Sequence, residues 1–340
     1  MRIILALVMG VVLPLAPASA VLSRGSEFSS LDTVQKFVFG YRGKPDAARV
    51  PAAVQALSRL GTLRDPETSG TYLGFIAGVI GTNPTRAEAL ITKMLPISPQ
   101  DHWIVVRAIA YSGLTDWKSL MEKFASRLPE RKVMIDKYLA GELPTLDQID
   151  LDNPTWFDKL RKSLTVKPAA KKVALAPSAE LIDTLWGYYF ATGAYAPLAR
   201  IISVLPWSKE RNSIDKLTVG NMAKYTLASN AARDAELLAT LKSAARQQPK
   251  EVAPILNETI EAAETVETTQ LRREAVAAID DLKRKGPGDK RDVSFWGQVG
   301  QGAIALGCVV GAALGQVYLG IPCVVGGAAT SAAVYWGGQP

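Results

Sequence analysis

The chain has 340 residues, of which 48% are hydrophobic and 21% charged, and its formal net charge is +7. This length is sufficient for one large or two ordinary domains, each with its own core. The excess of Lys and Arg lies mainly in two clusters, within residues 159–172 and 283–291, and the second alternates with Asp. This pattern indicates solvated linkers or contact with an anionic lipid surface, and it argues against a nucleic-acid partner.

The N-terminus has the three parts of an export signal. Arg2 provides the positive charge, Ile3–Leu13 form an apolar run, and Ala18-Ser19-Ala20 supplies the small residues that signal peptidase requires. A retained N-terminal anchor is the alternative, but the apolar run is too short to span a bilayer. We therefore predict a signal peptide at residues 1–20, a mature chain that starts at Val21, and a location in the bacterial periplasm.

Residues 21–150 predict a first all-helical half. Apolar residues recur at helical spacing, and Gly or Pro separates one such segment from the next. Asn83 followed by Pro84 indicates a helix start, and Thr115 is expected to cap a later helix. No stretch shows the alternation expected of strands, so we predict an all-α fold. The predicted helices cover residues 31–39, 46–60, 67–80, 84–95, 98–111, 115–128 and 130–139.

The second half resembles the first after an irregular connector at residues 151–177. Leu73–Pro84 aligns with Trp186–Pro197 at an offset of 113 residues, and each copy continues into further helices. The sequence therefore predicts a duplicated α-solenoid of stacked helical hairpins. The tetratricopeptide consensus is absent, so the likeness to that repeat is one of architecture only. This second half covers residues 178–285 and ends in a long predicted helix, Glu251–Lys285.

No set of residues in the sequence predicts catalysis. His102 is the single histidine, and no cysteine lies near it in sequence, so it is a poor candidate for a zinc ligand. Ser213 and Lys216 match the S-x-x-K pattern, but its partner motifs are absent. Trp186 with Tyr188 and Tyr189 could form a ligand platform, although such residues more often fill a core. We therefore expect no enzyme activity, no cofactor and no metal site.

The most unusual stretch is the C-terminus. A linker at residues 286–292 leads to residues 293–340, which contain eleven glycines and no charged residue. Gly307, Gly311 and Gly315 share one face of a predicted helix, a spacing that lets helices approach closely in lipid. We predict an apolar helical hairpin, residues 298–317 and 322–336, that is associated with the membrane. The alternative is a buried helical pair that closes the end of the fold.

These features together predict an exported binding or scaffold protein of the cell envelope. Its α-solenoid would be held at the membrane by the C-terminal hairpin and would bind envelope proteins of unknown identity. Two further hypotheses remain. One is a membrane-active or pore-forming protein whose hairpin oligomerises, and the weaker one is an envelope enzyme with an aromatic groove.

Signal processing is the first testable prediction. We expect cleavage between Ala20 and Val21, because the small residues at the cleavage site follow the apolar run directly. Intact-mass measurement of the exported protein checks this cleavage. A mass that still includes Met1 would show that the segment is retained.

A disulfide between Cys308 and Cys323, the two cysteines of the chain, is the second prediction. The two residues are about equally distant from the predicted hairpin turn, so they would face each other on antiparallel helices. A disulfide persists outside the cytoplasm, and closing a loop of about 15 residues would stabilise the hairpin by about 3 kcal/mol. Thiol counting on denatured, unreduced exported protein should find no free thiol, and two free thiols would exclude the bond.

Overall fold

The computed structural model describes residues 27–151, 173–174, 178–265, 276–277 and 284. Within these ranges the chain is helical apart from turns, loops and one short pair of strands. Seven α-helices precede the connector: α1 (Leu31–Gly40), α2 (Val50–Arg59), α3 (Gly70–Thr82), α4 (Ala87–Met94), α5 (His102–Tyr111), α6 (Trp117–Ala125) and α7 (Lys132–Ala140). Five follow it: α8 (Ala179–Thr192), α9 (Tyr195–Ser203), α10 (Ile214–Ala231), α11 (Ala235–Ala245) and α12 (Ala253–Glu264).

Local sequence explains where many of these helices begin and end. Ser30 caps α1 in a capping box with Thr33, and the Ser178 hydroxyl caps α8. Single-turn 3-10 helices that start with proline lead into α4, α5 and α7, because proline suits a first helical turn. These turns are Pro84–Arg86, Pro99–Asp101 and Pro129–Arg131. Gly141 and Gly193 end α7 and α8 in the left-handed conformation that glycine adopts without strain.

Helix α3 lies inside the fold and packs directly against α8. Residues Gly70 to Ile80 are all buried. Gly70, Gly74 and Gly78 share one face of the helix because they are four residues apart. A methyl group at Gly74 would overlap the carbonyl oxygen of Thr184, and one at Gly78 would lie 2.7 Å from the Cβ of Ala191. Glycine is therefore required there for the two backbones to touch.

The contact between α3 and α8 is reciprocal. A methyl group at Gly187 would overlap the carbonyl oxygen of Thr71, just as one at Gly74 overlaps that of Thr184. Thr184 and Gly187 follow Thr71 and Gly74 by the same 113 residues that the sequence alignment gives. Contact of i with j and of j with i is the arrangement of an isologous interface. We call this contact the glycine seam; it comprises Gly70, Gly74 and Gly78 of α3 and Gly187 of α8.

The two helices of the glycine seam run parallel. A methyl group at Gly70, at the start of α3, would lie 2.5 Å from the carbonyl oxygen of Glu180, at the start of α8. A methyl group at Gly78 would lie 3.0 Å from Cγ2 of Thr192, at the end of α8. The N-termini of both helices are therefore at the same end of the molecule.

Aromatic side chains fill the core around the seam. Trp186 on α8 is 1% exposed, and its indole N–H donates to Oγ1 of Thr226 at 2.9 Å. Trp103 on α5 is buried as well and donates to the carbonyl oxygen of Leu63 at 2.9 Å. These two hydrogen bonds satisfy the polar atom of each indole, which is the condition for burying it.

A short β-ladder lies where the first half ends. Strand β1 (Ile149–Asp150) pairs in parallel with β2 (Val173–Ala174). The guanidinium of Arg200 on α9 donates to the carbonyl oxygens of Leu146 at 2.8 Å and Ile149 at 2.7 Å. The end of the first half is thereby fixed against the second.

The predicted all-α class is confirmed for the described residues, with the two-residue ladder as an addition that the sequence did not indicate. The predicted helix start at Asn83 and Pro84 is confirmed in position, since Asn83 precedes the 3-10 turn Pro84–Arg86 that leads into α4. Its side chain makes no capping hydrogen bond there, because the amide donates to the carbonyl oxygen of Val79 at the end of α3. The predicted cap at Thr115 is wrong, since Asp116 is the residue before α6. Solenoid stacking is not confirmed, and the domain boundaries stay predictions.

Part of the predicted architecture lies outside the described residues. The signal peptide at residues 1–20 and the hairpin at residues 293–340 belong to it, as does most of the predicted long helix beyond Thr265. Of that helix, α12 covers Ala253–Glu264.

Substitution in the glycine seam provides a prediction. Gly74→Ala and Gly187→Ala should each lower the free energy of unfolding by about 3 kcal/mol, because the added methyl meets backbone that no rotamer change can move. The double variant should cost less than the sum, since one separation of the helices relieves both contacts. Urea unfolding of the chain truncated at Gly288 measures these values.

Gly40→Ala is the matched control. Gly40 is the last residue of α1, and an added methyl group there meets no atom within 4 Å. Its substitution should change stability by less than about 1 kcal/mol. Equal effects at Gly40 and Gly74 would contradict the close approach of α3 and α8.

Candidate functional site

Three clusters of charged and polar side chains have residue types found at functional sites, and the first surrounds Arg107 on α5. Its guanidinium donates to Oε1 of Glu180 at 2.7 Å and to the hydroxyl of Tyr111 at 3.1 Å. It also lies over the rings of Trp103 and Tyr111. Arg107 and Glu180 are each about one-fifth exposed, so the ion pair is largely removed from solvent. The cluster joins α5 of the first half to the start of α8.

The surroundings of Arg107 shift the pKa of two members of the cluster. Burial opposes the charge of Arg107, but Tyr111 and Glu180 together raise its pKa above the ordinary value. Burial raises the pKa of Glu180, and Arg107 offsets only part of this effect. Every charge in this cluster is matched by another, so its geometry is that of a structural link between the halves.

The second cluster surrounds Arg42, which follows α1. Arg42 forms ion pairs with Asp234 and, at 2.6 Å, with Glu236 at the start of α11. Its guanidinium lies 5.2 Å from the ring centroid of Tyr189, a cation–π contact. Burial raises the pKa of Tyr189 to about 12, so its hydroxyl stays protonated at neutral pH. This cluster also joins the first half to the second.

The third cluster contains His102 and has the residue types of a hydrolase site. The Ser58 hydroxyl donates to Oδ2 of Asp101 at 2.5 Å and accepts from the backbone N–H of Ser98 at 3.1 Å. His102 Nδ1 contacts the carboxylate of Glu130. Burial opposes ionisation of Glu130, but hydrogen bonds from its own backbone and from His102 lower its pKa.

The geometry of this third cluster does not support acyl transfer. A nucleophilic serine must donate to the imidazole, whereas Ser58 donates to a carboxylate. Ser58, Asp101 and His102 are all buried, so a substrate would have no access to them. The cluster fixes α2 and the turn before α7 to the start of α5.

The other residues that the sequence singled out have structural roles. Trp186 and Tyr189 are buried, and Tyr188 donates to the carbonyl oxygen of Ser112 at 3.1 Å, so these aromatics do not line an open groove. The Ser213 hydroxyl accepts from the backbone N–H of Lys216, so the S-x-x-K match is the N-cap of α10. The acidic face of α12 is partly paired with lysines: Glu258 with Lys224 and Glu264 with Lys242.

The site residues that the sequence predicts lie on other segments. Ala20 and Val21 at the cleavage position, Cys308 and Cys323, and the glycines of the tail all lie outside the described residues. Sequence reasoning missed the glycine seam and the two arginine clusters. The seam had a visible signal, because Gly70, Gly74 and Gly78 repeat the spacing of Gly307, Gly311 and Gly315.

The described residues show neither a metal site nor a membrane-spanning helix. Across residues 27–151 and 178–265 no group of three or more His, Cys, Asp or Glu residues is placed to hold a metal ion. In the same part of the chain no helix combines the length and the apolar character needed to cross a membrane. Comparison with protein-family models, curated proteins and solved structures finds no match.

The Arg107–Glu180 pair gives a prediction with a pH dependence. Arg107→Met should destabilise the body by about 2–3 kcal/mol at neutral pH, because it leaves the charged and largely buried carboxylate of Glu180 without its cation. Without Arg107 the pKa of Glu180 rises further, so the carboxyl becomes neutral as the pH falls. The cost of the substitution should therefore shrink on acidification.

Lys123→Met is the control for this experiment. Lys123 pairs with Glu88 on the surface, where both side chains are 58% exposed. Its loss should leave stability nearly unchanged at every pH, because solvent screens the pair. Urea unfolding at several pH values compares the two variants, and a cost for Arg107→Met that is small or independent of pH would contradict the assignment.

Proposed function

We propose that this chain is an exported, non-catalytic binding or scaffold protein of the bacterial cell envelope. Its helical body is held at the membrane by the glycine-rich hairpin of residues 293–340. The observation that carries the proposal is the complete absence of charged residues from that stretch. A run of this length without charge is difficult to bury in a protein of 36.5 kDa and suits a lipid environment.

The charge distribution supports a division between body and tail. Residues 27–151 and 178–265 contain 24 Lys or Arg and 24 Asp or Glu, so the net charge of +7 belongs to the other segments. A body without net charge is suited to protein contacts, whereas basic segments are attracted electrostatically to anionic lipid surfaces. One of these basic segments, residues 283–291, lies immediately before the apolar tail.

The polar clusters of the body support the non-catalytic part of the proposal. The arginines at positions 42 and 107 pair with carboxylates, and Ser58 and His102 are buried with their own partners. Glycine spacing alone does not support a membrane location, since α3 uses the same spacing inside the body. The absence of charge, and not the glycine spacing, therefore distinguishes the tail from the body.

Membrane fractionation tests the proposal. The full chain should sediment with membranes, and truncation at Gly288 should release the body into the soluble fraction. Val309→Asp should weaken membrane association, because a carboxylate at the centre of a spanning helix costs about 3 kcal/mol, whereas the control Val309→Leu should not. If full chain and truncated chain are both soluble, the tail is a buried part of the fold.

Two further measurements separate the proposed function from its alternatives. Capture of envelope proteins by the truncated body would support a scaffold that binds partners. Dye release from liposomes by the full chain, lost in Val309→Asp, would instead support the pore-forming alternative, which the glycine face at 307, 311 and 315 favours.

A further inference from the structure

The two surfaces that meet at the glycine seam touch at equivalent positions of the two halves. A methyl group at Gly70 would lie 3.0 Å from the Cβ of Asp183, and one at Gly78 would lie 2.7 Å from the Cβ of Ala191. Each facing residue is again 113 positions later in the chain. Together with the reciprocal contacts of Gly74 and Gly187, three successive layers of the seam therefore pair equivalent positions.

The links outside the seam also run between the halves. Arg42 reaches Glu236, Arg107 reaches Glu180, and Arg200 reaches back to the carbonyl oxygens at the end of the first half. A single covalent connection, residues 152–177, joins the two halves. Within one chain the first half packs on the second half. The same surface of the first half is therefore equally complementary to the second half of another copy.

We propose that two copies of this chain pair by exchanging halves, with α3 of each copy packed on α8 of the other across the glycine seam. Such an exchange can rebuild the glycine seam and the ion pairs between the halves from two chains, which is why exchanged dimers form at low energetic cost. Pairing of the halves within one chain is favoured by their high effective concentration. Exchange between two chains therefore requires that the chains fold together at high concentration. This proposal is independent of the membrane function.

Co-refolding of full chains in a mild detergent tests the exchange. Two wild-type preparations with different affinity tags are unfolded, mixed and refolded over a range of concentrations. The tags should co-purify at twice the monomer mass, in a fraction that rises with concentration and persists on dilution. A monomer at every concentration, with no co-purification, would overturn the proposal.

Variants of the seam then locate the contact. Gly74→Leu blocks α3 and Gly187→Leu blocks α8, so neither variant forms an intact seam alone. Mixed together, they form one intact seam by exchange, and the soluble yield should exceed that of either variant alone several-fold. Two differently tagged preparations of Gly74→Leu are the matched control, because every seam they form contains a leucine and no rescue should occur.

The same pair of mixtures separates exchange from association through the tail. Pairing through residues 293–340 would not depend on positions 74 and 187, so both mixtures would then co-purify equally. Equal co-purification of the two mixtures would overturn the proposal.

Discussion

The direct backbone contact between α3 and α8 is the constraint on which the rest of the body depends. At Gly74 and Gly187 no side chain separates the helices, so neither helix can shift without meeting the carbonyl oxygens of the other. Close packing of this kind gains dispersion energy but allows almost no adjustment. The surrounding helices are therefore arranged around a pair whose spacing and register are fixed.

Parallel packing of these two helices concentrates partial positive charge at one end of the molecule, and acidic residues offset this charge. Both macrodipoles have their positive ends at the same end of the molecule, where acidic residues are stabilising. Glu180 lies in the first turn of α8, and Glu67 lies in the 3-10 turn before α3, which Asp65 caps. Burial is the largest cause that raises the pKa of Glu180, and the carboxylates of Glu67 and Asp65 raise it further. Arg107 lowers this pKa and so offsets part of the increase. Arg107 therefore places a positive charge beside the acidic residues at this end of the seam.

The sequence predicted the helices well because their start and stop signals are local. Caps at Ser30 and Ser178 and the prolines that open α4, α5 and α7 depend on a few neighbouring residues. At Asn83 the local signal predicted the position of the helix start, but not that the side-chain amide would bond back to α3 instead of capping the next helix. The alignment placed Gly74 over Gly187, but alignment alone does not say that equivalent residues face each other. Arg107 and Glu180 are 73 residues apart in sequence, so no local pattern predicts their ion pair.

Native-state hydrogen exchange of the body truncated at Gly288 tests the central claim most directly. If the glycine seam organises the fold, the amides of α3 and α8 should be the slowest to exchange. They should also share one opening free energy, because neither helix can open without the other. Urea at low concentration should leave that pair protected while the outer helices α7 and α12 exchange first. Distinct opening free energies for α3 and α8, or earlier exchange of α3 than of the outer helices, would contradict the account.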